Sequence, residues 1–327
     1  MAVTRLNDVV IVDTVFTANM TLKSLDLDAF VQSGVMVRDP TLDAFLNGPI
    51  GGRKIEPRFM GPLPDTEENI SSDDPDVKSV PHKIPGISNS AVRQSLNNSW
   101  SSMDLVADLN GADPIAVVEE QVGKYWLGRR QARLLSSLKG VVQASSSDMV
   151  VDISGESAPE DTLINADAII DARGTLGDMD GQLAAMAVHS TVLKTMRKRN
   201  LIDSIPWSRG EIQFESYLGL PLIVDDKMTT VGTGDAKIYY TYFFARGAVA
   251  LGVGSPKVPF EVARTPDAGN GGGQETVHSR IELIIHPQGY QYGLDTTPTY
   301  AQLEDPANWT RAWERKRIPI AALISKG

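Results

Sequence analysis

Four histidines, at positions 82, 189, 278 and 286, and no cysteine set the chemistry open to this 327-residue chain. Without a thiol there is no disulfide, no thiolate metal site and no cysteine nucleophile, a composition that suits a reducing cytoplasm. No two histidines stand at the i, i+4 spacing of a helical metal pair, which removes the usual zinc-enzyme pattern. The best remaining acid/base set is Asp225-Asp226, just behind the strand-like Leu220 to Val224, with His286 as the third member of a hydrolase-like site. Adjacent strand residues point to opposite faces, so both carboxylates reach one ion only where the strand ends, and a turn closed by Asp side chains is the simpler account. His286-Pro287 followed by Gly289 likewise reads as a strand-terminating turn. The GNGGGQ at 269–274 has the glycine density of a phosphate cradle but lacks a following Lys-Ser/Thr and a strand-to-helix setting. Neither Gly-x-Ser-x-Gly nor Gly-x-Gly-x-x-Gly occurs. These patterns predict no enzyme, no cofactor and no metal.

The balance of 31 basic against 41 acidic side chains gives a formal charge of -10, which disfavours sequence-specific binding to nucleic acid. Hydrophobic residues make up 42% and charged residues 22%, a globular composition, and the length is that of roughly two domains. No apolar run approaches the ~20 residues of a membrane span, and the amino terminus lacks a secretion pattern, so a soluble intracellular product is expected.

The elements that would carry these residues change character along the chain. Through residue 112, short apolar pieces alternate with Pro- and Gly-bearing stretches that could not hold a core alone. Between Asp65 and Asp76 the segment DTEENISSDDPD carries six acids and no base, which reads either as a solvated tip or as an arm that orders on another subunit. Asp113-Pro114 opens the clearest helix, with Asp as N-cap, Pro at the first position and Gly140 where a C-terminal cap belongs. Lys124, Arg129, Arg130, Arg133 and Lys139 crowd its second half, either as a solvated face that complements the helix dipole or as a contact surface. A second helix is predicted from Gln182 to Arg199, with His189 on its apolar face as a buried structural histidine. Beyond 205 the period shifts to two. Ala236 to Ala245 reads as a strand covered on both faces, the strand around Val258 to Ala263 is expected to pair with that around Arg280 to Ile285 across a polar, glycine-rich tip, and Ile318 to Leu323 is the last strand.

The succession HSTVLKTMRK from 189, SYLGLPLIVDD from 216, YYTYFFARGAVALGVG from 239 and IIHPQGYQYG from 284 resembles the tailed-bacteriophage major capsid proteins, in which comparable blocks occur in the same order. The resemblance covers roughly residues 110 to 320. It implies the α+β Hong Kong 97-type capsid fold, divided into an amino-terminal arm (1–50), an E-loop with flanking strands (51–112), a spine helix (113–140), an axial A-domain (141–255) and peripheral P-domain strands with a carboxyl-terminal segment (256–327). It further implies a structural subunit that self-assembles into hexamers and pentamers around double-stranded DNA in the virion, after assembly in the host cytoplasm. The implied partners are portal, scaffolding and decoration proteins. With no long, charged, helix-rich leader before the arm, a separate scaffolding protein is the expectation. An encapsulin-like cellular shell shares that fold and is the nearer alternative; a hydrolase using Asp225, Asp226 and His286 is the distant one. For contacts between subunits, the acidic residues Asp65, Glu67, Glu68, Asp73, Asp74 and Asp76 are expected to meet Arg129, Arg130 and Arg133 of a neighbour. Some relatives join a Lys to an Asn between subunits; Lys54, Lys78 and Lys83 are candidates by position, and none carries a matching local motif.

Overall fold

The computed structural model of the protein describes residues 29–49, 51–56, 58–60, 63, 65–71, 73–84, 86–105, 114–146, 148–205 and 214–327. Its strands in chain order are β1 (Met36–Arg38), β2 (Lys54–Ile55), β3 (Arg58–Met60), β4 (Gly86–Ser88), β5 (Ala91–Val92), β6 (Gln94–Met103), β7 (Val150–Asp152), β8 (Leu183–Val188), β9 (Asp203–Ile205), β10 (Phe214–Tyr217), β11 (Leu220–Val224), β12 (Thr230–Val231), β13 (Ile238–Ala245), β14 (Val249–Gly254), β15 (Phe260–Thr265), β16 (Gln274–Pro287), β17 (Tyr290–Tyr292), β18 (Trp309–Arg311) and β19 (Ile320–Lys326). One sheet of eight strands runs β7-β19-β13-β8-β11-β10-β9 with β12 beside β13; a second, of five, is built on β16. β14 and β15 follow one another along one edge of β16, and β6 runs antiparallel along the other.

The alternation in IYYTYFFA does what a doubly covered strand requires. Tyr240, Tyr242 and Phe244 enter a core shared by both sheets, while Tyr239 and Phe243 enter a second core against the helices Ala166–Gly174 and Ser190–Lys198. The shared core is completed by the long helix Pro114–Ala144, whose Leu134, Leu138 and Val141 are fully buried; its 31 residues span about 47 Å. Helix Pro40–Asn47, capped by Asp39, lies on β14, where a Cβ on Gly252 would stand 2.7 Å from the Cβ of Leu42; that close approach is why glycine interrupts the apolar run.

Several expectations hold and several change. β15 pairs antiparallel with the first half of β16, Phe260 opposite Ser279 and Thr265 opposite Gln274, and the glycine-rich connection is shorter than expected because Gln274 already belongs to β16. Asp113 lies outside the described residues, as does the arm through residue 28. Gly140 is not a cap: the helix runs on to Ala144, and the glycine sits where a Cβ would be 2.1 Å from the Leu303 carbonyl oxygen and 2.6 Å from Trp309 Nε1. Close packing, rather than termination, selects glycine there.

The helix predicted over 182–199 is instead a 3-10 turn (Gly177–Gln182), strand β8 and a helix that begins only at Ser190. The apolar run LAAMAV satisfies helical spacing by accident and is a central strand buried on both faces. His189 is accordingly an N-cap, its Nδ1 accepting from the Thr191 N–H at 3.1 Å. The last strand begins at Ile320, two residues later than expected, because Ile318 closes the turn Arg315–Arg317. The expected boundary at 255 falls between β14 and β15, inside the five-stranded sheet, and β19 returns to the eight-stranded one; strand partners distant in sequence cut across a linear division. Within the segment 1–50 expected as an arm unable to hold a core alone, Phe30, Val35, Met36, Leu42 and Leu46 are buried against other elements of the subunit.

Candidate assembly surface

Between β3 and β4 the chain leaves the body of the molecule. Two short antiparallel ladders hold the departure: Lys54 and Ile55 opposite Val92 and Ala91, then Arg58 to Met60 opposite Ser88 to Gly86. Beyond them, every described residue from 63 to 84 is exposed. Prolines at 62, 64, 75, 81 and 85 remove ladder donors, and the acidic run cannot be desolvated cheaply, so local sequence favours extension over a packed hairpin. The internal ties are local: the Val77 N–H donates to the Asp74 carbonyl at 3.2 Å and the Asp76 N–H to Asp74 Oδ1 at 3.0 Å. Apolar side chains are spread along this excursion, with Met60 83%, Leu63 74%, Ile70 87% and Val80 62% exposed. Each contributes almost nothing to the subunit core, and burial on another surface would be worth ~1.5–3 kcal/mol per large side chain.

The three arginines expected to meet the acidic run are not equivalent. Arg129 is exposed, its guanidinium 5.5 Å from the centre of the Tyr125 ring. Arg130 and Arg133 are only 6% and 7% exposed. Arg133 donates through Nη1 to Gln94 Oε1 at 3.0 Å and to the Pro298 carbonyl at 2.9 Å, and lies 5.1 Å from the Tyr300 ring centre. Burial holds its pKa below the ordinary arginine value, with Tyr300 opposing. Of the three, Arg129 alone is exposed on the surface of the subunit, while Arg130 and Arg133 are buried within it.

The acid/base set comes apart. Asp225 closes the turn after β11, with Oδ1 accepting from the Lys227 N–H at 2.9 Å and Oδ2 from Gln131 Nε2 of the long helix. Asp226 is exposed. His286 is buried in the five-stranded sheet, where Nε2 is bonded to Asn89 Oδ1 and burial pushes the imidazole down to about 4 against the opposing effect of a backbone hydrogen bond at Tyr290. His189 packs on the Tyr239 ring at 4.8 Å and is likewise lowered by burial. Among the described residues no group of His, Asp and Glu could hold a metal ion. Lys54 pairs with Glu56 at 3.7 Å and Asp295 at 3.5 Å, whereas Lys78 and Lys83 are exposed on the excursion.

Two features escaped the sequence reading. Leu63, Val77, Val80 and Ile84 fit neither a period of two nor one of 3.6, and that aperiodicity inside a proline-rich stretch was the available signal. Leu218 sits at φ 48 and is 51% exposed at the tip of the β10–β11 hairpin, a backbone region that bulky residues rarely occupy.

Comparisons bear directly on this arrangement of two sheets, one long helix and one extended excursion. The chain is 32% identical to the major capsid protein of Bacillus phage SPP1, over 98% of this chain and 97% of that protein. The capsid of Ralstonia phage GP4 shares its fold at a TM-score of 0.57 with 9% identity, covering 91% of this chain and 89% of that one. The cyanophage Pam1 capsid does so at 0.53 with 10% identity, covering 85% and 86%. The fold is thus the α+β Hong Kong 97-type capsid fold. A model of the Gp13-like major capsid proteins matches residues 110–318, and this chain belongs to that family as a structural, non-enzymatic subunit of a phage head shell.

Proposed function

We propose that the subunit assembles into hexamers and pentamers that close as an icosahedral shell around double-stranded DNA, with the excursion from 61 to 85 lying on a neighbouring copy. The observation that carries this reading is the row of apolar side chains, 60% or more exposed, on a segment with no core of its own. Burying them between copies offsets the entropy of ordering the segment. On this reading the five-stranded sheet with the long helix is the peripheral domain and the eight-stranded sheet the axial one. Portal, scaffolding and decoration proteins are its further partners, DNA is enclosed without sequence specificity, a role that a net charge of -10 suits better than tight binding to the duplex, and assembly takes place in the host cytoplasm.

The test is particle size. Negative-stain microscopy and sedimentation of purified protein are expected to give closed shells or capsomers of megadalton scale; a small oligomer under every condition, in the presence of the phage's other head proteins, would refute the reading. Deleting Gly61 to Pro85 is expected to leave a folded subunit that makes no stable shell.

A further inference from the structure

At the root of the excursion, on the body of the subunit, lies an open cleft of about 410 Å³ lined by Arg53, Arg93, Ser95, Thr296 and Thr297. Every one of these side chains can donate a hydrogen bond, and none is a carboxylate. The cleft is built rather than incidental. The Arg93 N–H donates to the Arg53 carbonyl at 2.8 Å, tying the two limbs of the root, and the Thr297 hydroxyl accepts from the Ser95 N–H at 3.4 Å. Arg93 is engaged by Glu282, and the neighbouring Lys54 by Glu56 and Asp295. Arg53 is exposed, and no ion pair among the described residues engages it. The cleft therefore holds one uncompensated guanidinium backed by hydroxyls, a donor set that matches a carboxylate on an extended backbone.

We propose that this cleft receives the acidic limb, residues 65–76, of the excursion on a second copy of the chain. The inference rests on the shell-subunit reading above and names the partner surface it leaves open. Complementarity of charge supports it: six acids and no base stand in that limb, and Asp65, Glu67, Glu68, Asp73 and Asp76 take part in no ion pair among the described residues. The limb of the same copy is a poor occupant. The β3–β4 ladder separates it from the root, half of the excursion's 25 residues extended reach as far as ~40 Å, and the described residues of the limb are exposed rather than folded back. A cleft at the root and a complementary limb far from it are satisfied together when copies repeat around a ring, each limb reaching the next root.

The experiment uses the full-length chain under conditions in which wild type forms shells. Arg53→Glu is expected to lower the yield of closed shells at least about tenfold, since like charges facing across an interface oppose association. Circular dichroism should stay unchanged because Arg53 is exposed. Combining it with Asp65→Lys/Glu67→Lys/Glu68→Lys, or with Asp73→Lys/Asp76→Lys, is expected to restore shells in one of the two sets. Wild-type yield from Arg53→Glu, or failure of both sets to restore it, overturns the proposal. So does the same loss and rescue with Arg129→Glu in place of Arg53→Glu, which would put the limb on the long helix. Intact shells after deletion of 61–85 overturn the loop reading and the cleft together, a result distinct from either.

Discussion

Replacing Gly140 by alanine should reverse the usual sign of a glycine-to-alanine change in a helix. In an exposed helix interior alanine is favoured by about 1 kcal/mol, because glycine gives up more backbone entropy. Here the added methyl would stand 2.1 Å from the Leu303 carbonyl oxygen and 2.6 Å from Trp309 Nε1, both far inside ordinary contact. The obstacle on one side is backbone. On the other it is an indole that donates to the same Leu303 carbonyl at 2.8 Å, so relief by moving either partner strains or breaks that bond. Overpacking costs ~1–3 kcal/mol and the lost hydrogen bond ~1 kcal/mol, which outweighs the propensity gain and leaves a net loss of about 1–3 kcal/mol. Gly128→Ala supplies the control on the same helix: its methyl would meet only the flexible end of Lys227 at 3.6 Å, and stabilisation approaching 1 kcal/mol is expected. Urea denaturation of the soluble subunit followed by tryptophan fluorescence measures both, with Trp309 buried enough to report on the contact. A Gly140→Ala subunit as stable as wild type would show that the long helix does not lie that close to the Leu303 and Trp309 segments.

Acid should weaken the subunit through His286. Its folded pKa of about 4 lies below the ordinary 6.5, so the unfolded chain binds the extra proton; the stabilisation is whole above roughly pH 6.5 and is lost as pH falls toward 4, by up to about 3 kcal/mol. His286→Gln should flatten that part of the stability profile, and an unchanged slope would count against it. If the acidic limb meets a basic surface between copies, raising salt from 0.05 to about 0.5 M should lower the temperature at which shells come apart, while the isolated subunit responds little. Boiling mature particles in SDS is expected to give one band near the 35.4 kDa chain mass; a ladder that survives reductant would reveal covalent joining through Lys54, Lys78 or Lys83.

The strands that were legible are β11, β13, β15, the second half of β16 and β19, where side chains alternate between two faces, and the pairing of β15 with β16 followed from a short polar connection; β6, β8 and the first half of β16 were not read as strands. What failed has a physical cause in each case. LAAMAV is apolar throughout and has no face to show, so the spacing of Leu183, Met186 and His189 passed for a helix. Gly140 looks like a cap in one dimension; the atoms that exclude its Cβ come from residues more than 160 positions away. Arg130 and Arg133 stand in a basic run that says nothing about which way the helix is turned, and only Gln94, Pro298 and Tyr300 reveal that Arg133 faces inward. The excursion was legible as a segment unable to fold alone, from its prolines and acids. The cleft at its root was not, since Arg53, Arg93 and Thr297 are joined only by the fold.

The position of β19 also governs when this subunit can exist during its own synthesis. The strand lies inside the eight-stranded sheet, parallel to β7 on one side and antiparallel to β13 on the other, with Ile320 through Leu323 wholly buried. Residue 320 leaves the ribosome 75 residues after β13 ends, about 4–15 s later at ordinary translation rates. Throughout that interval the nascent chain displays two unpaired strand edges and an apolar seam, a target for chaperones and for self-association. A message cut short before that point yields a chain with an open sheet, which cannot present the same surfaces as the finished one. The eight-stranded sheet is therefore closed only when the chain has been made to the end of β19, the last strand to be synthesised.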